Sequence, residues 1–150
     1  MATGAAAVLG SRWRHLATVE SGELDAILIL ASGAPADLAQ RAGKGWQGGS
    51  FEVFRLDGAG AGCRQPCRER RAAVAAFRWR APADALEFAT VAERYMTERL
   101  LDGRRRGVTF EVGSAAASIG LGRRTTSLAY APSPALARRL AAAALSAGGR

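Results

Sequence analysis

The sequence predicts an α+β domain: a small, mainly antiparallel four-stranded sheet with helices on one face, in the order ααββαββα. Three observations carry that class. Ala72–Arg80 alternates with a period of two, placing Ala73, Ala75, Phe77 and Trp79 on one face and Val74, Ala76, Arg78 and Arg80 on the other. Behind Pro82, a stripe of Ala85, Phe88, Ala89, Ala92, Tyr95 and Met96 recurs at three- and four-residue steps. The chain has 150 residues, 49% of them hydrophobic and 23% charged, which suits one globular domain and excludes disorder throughout.

Taken in order, residues 1–20 have no clear period and read as a loose N-terminal arm; residues 21–147 form the domain and 148–150 a tail. Ser21–Leu30 reads as a short helix capped by Ser21, with Leu24, Ile27, Leu28 and Ala31 on one side. Gly33 stops it, and Pro35 opens a second short helix over Ala36–Ala42, since proline is tolerated at a helix start. Four glycines around Trp46 make a turn. Ser50–Leu56 and Ala72–Arg80 are then strands of an antiparallel hairpin with a long tip, the second having one buried and one wetter face. The longest helix runs from Pro82 to about Leu101, with Asp84 and Glu87 in its first turns, where the helix dipole favours acids. Val108–Val112 alternates as a third strand, Ser114–Ser118 is weakly patterned, and Thr125–Tyr130 is the fourth strand. Ser133-Pro134 caps and starts a last helix over Ala135–Ser146. The strand-strand-helix order occurs twice, a repeat of architecture without sequence identity.

The formal charge is +8, from 21 Lys+Arg against 13 Asp+Glu, and Lys44 is the only lysine. Enrichment in alanine, glycine, arginine and proline with depletion of lysine and asparagine is what a GC-rich genome writes by default, so part of this charge reflects codon usage. The arginine clusters read mainly as solvated faces. The alternative is a small nucleic-acid-binding protein using Arg78 and Arg80 on the wet sheet face with Arg68–Arg71 beside them, because phosphates reward cations gathered on one surface.

The reactive inventory is poor. With one histidine, His15, and no HExxH, a zinc hydrolase lacks its ligands, and no metal site or cofactor is expected. No G-x-S-x-G elbow or S-x-x-K occurs, Gly43-Lys44 lacks the surroundings of a phosphate loop, and Gly58–Gly62 leads to no helix. No catalytic residue is expected. Cys63 and Cys67 form at most one bridge, sensible in an oxidising compartment; two inert thiols are the alternative. The first ten residues lack a basic n-region, so a secretory signal is not expected and a cytoplasmic location is the default, unless the chain starts inside a longer protein. No apolar run approaches a membrane span.

Gly45-Trp46-Gln47-Gly48-Gly49, the strand from Phe51, and Phe77–Ala89 with Trp79, Pro82, Asp84 and Phe88 together resemble the GWGGD-type module in the C-terminal regions of zinc-metallopeptidase-like proteins of high-GC bacteria. The likeness spans roughly residues 21–145, with Gly49 and Arg80 standing where that module carries acids. The resemblance implies a non-catalytic accessory or interaction module whose partner is another protein or a catalytic region N-terminal to it. Trp46, Arg78 and Arg80 are the candidate binding residues. The motif also has a plain structural reading: its glycines let the backbone turn beside the indole, and Asp84 bonds free N–H groups at a helix start.

Overall fold

The structure, a computed structural model, describes residues 3–58, 70–99, 105–106, 109–112 and 115–148. Its elements are α1 (Ala5–Leu9), β1 (Trp13–Ser21), α2 (Glu23–Ala31), α3 (Ala36–Gly43), β2 (Trp46–Leu56), β3 (Arg71–Trp79), α4 (Pro82–Arg99), β4 (Arg105–Arg106), β5 (Thr109–Val112), β6 (Ala115–Leu121), β7 (Thr125–Ala131) and α5 (Pro134–Gly148). The α+β class holds, but the four-stranded sheet does not. One antiparallel sheet of six strands forms, in the order β1-β2-β3-β7-β6-β5, with the two-residue β4 extending its far edge.

Two missed strands explain the difference. β1 lies within the expected loose arm, pairing Val19 with Phe51 and Ser21 with Gly49. It is exposed along most of its length, so no apolar alternation marks it. β6 occupies the small, weakly patterned stretch. It is buried on both faces, and alanine-rich burial leaves no alternation for the sequence to display.

The helices also lie on both faces. Ala75, Phe77 and Trp79 pack with α2, α3 and α4, whereas Val74, Ala76 and Phe54 pack with α1 and α5. The wetter face expected for β3 is therefore wrong: Val74 and Ala76 are buried beneath α5, and Arg78 is exposed only because it lies at the strand's end. With α4 and α5 on opposite faces, the two strand-strand-helix halves are not equivalent.

Phe77, Trp79 and Phe88 form the centre of the larger core, their ring centroids 4.8–6.2 Å apart. Trp79 donates its indole N–H to Thr126 Oγ1 at 2.9 Å, which satisfies the one polar atom this ring brings inside. On the other face, Glu52 is nearly buried and accepts from Thr3 N at 3.3 Å and Thr3 Oγ1 at 2.6 Å. That pair ties the start of the chain to β2, where a loose arm was expected.

Helix starts follow local chemistry. Asp84 Oδ2 accepts from Ala81 N at 3.0 Å, and Asp25 Oδ2 from Gly22 N at 2.7 Å, each an N3 carboxylate reaching back to its N-cap. Gly22, not Ser21, caps α2, since Ser21 is the last residue of β1. Ser133 Oγ accepts from Leu136 N at 3.3 Å, as expected for the last helix. The buried side of α2 is Ala26 and Leu30. Leu24 and Leu28, expected on its packed side, are 64% and 56% exposed.

Candidate functional site

Two surfaces stand out, at different places on the sheet. The first is its β1 edge. The outer side of β1 pairs with no strand among the described residues, so a row of backbone donors and acceptors there is open. Beside it, α2 leaves the sheet incompletely covered. A groove of about 460 Å³ lies between them, lined by Val19, Leu28, Ile29, Phe51 and Phe77, with Ser21 and Asp25 as its polar rim. Of the six large apolar residues that are most exposed among the described residues, Leu16, Val19, Leu24 and Leu28 all belong to β1 or α2. Exposed aliphatics concentrated in one place, beside an open strand, mark an interaction surface better than the same residues scattered. Sequence reasoning misses it because an unpatterned stretch reads as an arm; the β-branched pair Thr18-Val19 is the one available signal.

The second surface is the end of the sheet where β3 finishes. Register partners bring Arg78 beside Gly48 on β2 and Thr125 on β7. Trp79 N donates to Arg124 O at 2.8 Å, which pins the turn between β6 and β7 against β3. Arg80 N donates to Gly45 O at 2.7 Å, closing the other side. Two depressions result, with Gln47 between them. One, of about 300 Å³, is lined by Arg78, Arg123, Arg124, Gln47 and Thr125. The other is lined by Trp46, Arg80, Lys44 and Glu23.

The three expected binding residues thus share one end of the molecule but not one depression. Arg78 lines the first, whereas Trp46 and Arg80 line the second. Arg80 Nε lies 3.9 Å from Asp84 Oδ2, so part of its charge is answered locally. Of the wider arginine surface of the nucleic-acid reading, Arg71 does not join Arg78: it pairs with Arg55 at the start of β3, with the length of the strand between them. Arg68 lies outside the described residues, as do Cys63 and Cys67.

Trp46 is half-buried against the larger core, and its indole N–H is buried without an acceptor among the described residues. The motif glycines around it have packing roles. Gly45 has a φ of +83°, and a Cβ there would collide with the Asp84 carboxylate. A Cβ on Gly49 would come within 2.8 Å of the Phe77 ring. His15 is exposed, stacks edge-on to Phe54 at 5.2 Å and shares a 2.8 Å hydrogen bond with Thr18 Oγ1. No group of three or more His, Cys, Asp and Glu side chains gathers into a cation-binding arrangement among the described residues. No helix among them is long and apolar enough to cross a membrane.

No curated protein and no solved structure matches the chain. One family model does, over residues 6–141, which takes in all but the first residue of α1, every strand, and about half of α5. The edge groove and all the arginines of the basic end, though not Gly148, fall inside that span, and the chain belongs to the family described as Domain of unknown function (DUF8575).

Proposed function

We propose that this domain is a non-catalytic interaction module that takes an extended segment of a partner protein along β1. The observation that carries this reading is the coincidence of an open nine-residue edge strand with an apolar groove at its side. Strand addition needs both parts: unpaired main-chain groups supply affinity, and a groove for alternate side chains supplies selectivity. Val19, 53% exposed, stands between the two and contacts the incoming strand first. The resemblance to the GWGGD-type module supports the same reading and extends it: the chain acts as an accessory part for a zinc-peptidase-like protein of a high-GC bacterium. The packing of Gly45, Gly49 and Asp84 supports a fold-making role for that motif, which leaves recognition to the β1 edge.

A selection from a displayed library of random peptides tests this. The wild-type chain enriches β-forming peptides with alternating apolar residues, and Val19→Lys/Leu28→Lys loses them while keeping its unfolding midpoint. Both positions are exposed, so the substitutions leave the core intact. Enrichment of no such peptides, or equal binding by the double variant, overturns the proposal. Light scattering separates a second outcome: a dimer of wild type that the same variant dissociates would make the chain its own partner and overturn the partner-protein reading.

A further inference from the structure

The geometry points to a phosphate-binding site at the end of β3, built from Arg78, Arg123 and Arg124 and separate from the apolar edge. Three arginine residues line one depression of about 300 Å³, and no Asp or Glu among the described residues lines it. Three arginines elsewhere have a carboxylate at hand: Arg41 lies 3.0 Å from Asp37, Arg14 is 3.7 Å from Asp57, and Arg80 is 3.9 Å from Asp84. The three at this end have no ion pair among the described residues.

Backbone pairing holds them together. Arg78 is the register partner of Thr125, one residue beyond Arg124, so Arg78 and the turn lie one strand spacing apart, about 5 Å. The turn is closed by Gly122 N donating to Thr125 O at 2.8 Å and is docked through the Trp79 N to Arg124 O bond. Across the other side, one terminal nitrogen of Arg78 would lie 3.8 Å from a Cβ at Gly48, so this side chain runs over a backbone that leaves it room. Gln47 and Thr125 add neutral polar groups to the rim.

Positive residues lining one depression favour an anion held between them. The end of α5 reaches the depression at Gly148 and brings the partial negative charge of a helix C-terminus, about half a unit, against three positive charges. The remainder suits a phosphate, whose oxygens match the donor forks of arginine. The ligand chemistry is a phosphoryl group, either of a small phosphate ester or of a nucleic-acid backbone.

Inorganic phosphate is titrated into the isotopically labelled full chain against chloride at constant ionic strength, followed by amide chemical shifts. The site predicts saturable shifts centred on Arg78, Arg123 and Thr125. Arg123→Glu/Arg124→Glu weakens the binding about tenfold or more, whereas Arg138→Glu/Arg139→Glu, an equal charge change on exposed positions of α5, alters it less than about twofold. A labelled single-stranded oligonucleotide identifies the source: binding about tenfold tighter than phosphate, with the same dependence on Arg123 and Arg124, selects a nucleic-acid backbone, and weaker binding selects a small ester. Shifts that never saturate, that centre elsewhere, or that both double variants reduce equally overturn the site. None of these outcomes bears on peptide binding at β1.

Discussion

Gly45 and Asp84 show how one short motif is decided by packing. Gly45 sits at φ +83° with the Asp84 carboxylate against it, and Asp84 in turn holds Ala81 N at the start of α4. Gly45→Ala therefore meets two penalties, a left-handed backbone and a collision, and costs about 2 kcal/mol or more in chemical denaturation. In Asp84→Ala/Gly45→Ala the contact with the carboxylate is gone and only a tight approach of about 3.0 Å between the two Cβ atoms remains, so the double variant loses less than the sum of the single losses; strict additivity would refute the coupling. Trp46 gives a contrasting case. Its buried indole N–H lacks an acceptor among the described residues, an arrangement that costs about 1–3 kcal/mol. Trp46→Phe removes that donor and keeps most of the ring, so the unfolding midpoint stays or rises. A loss above about 1 kcal/mol would mean the N–H has a partner that matters.

At the scale of elements, β1 is held by pairing to β2 rather than by a core of its own. Glu52 helps fix the segment ahead of it through its two bonds to Thr3. Glu52→Ala is expected to cost about 2 kcal/mol and to speed hydrogen exchange over α1, leaving α4 protected; unchanged exchange in α1 would contradict that role. β1 also marks where sequence reading stops. α4 is legible because Phe88, Ala92 and Met96 sit on one stripe and are buried together. β3 is legible through its alternation, although both faces prove buried. β1 is not, because an exposed edge strand has no need to alternate, and β6 is not, because Ala115–Ala117 carry no size contrast. Of the candidate site, Trp46, Arg78 and Arg80 come from one motif, and the β2–β3 pairing keeps them at one end of the molecule. In the sequence Arg123 and Arg124 are only another arginine cluster. Their meeting with Arg78 depends on the central pairing of β3 with β7, a contact between distant parts of the chain.

For the whole molecule, the sheet divides labour between its edge and its end. Three helices cover one face and two the other, yet α2 leaves Leu24, Leu28 and the neighbouring Val19 to solvent. Covering β1 with a partner strand would bury these side chains and satisfy the open ladder in one step. Hydrogen exchange at the β1 amides, measured with and without a peptide selected by the wild-type chain, tests that account most directly. It predicts slowed exchange at alternate amides between Trp13 and Ser21, those facing away from β2, and no slowing in Val19→Lys/Leu28→Lys. Protection that appears elsewhere on the domain while β1 exchanges as before would contradict it.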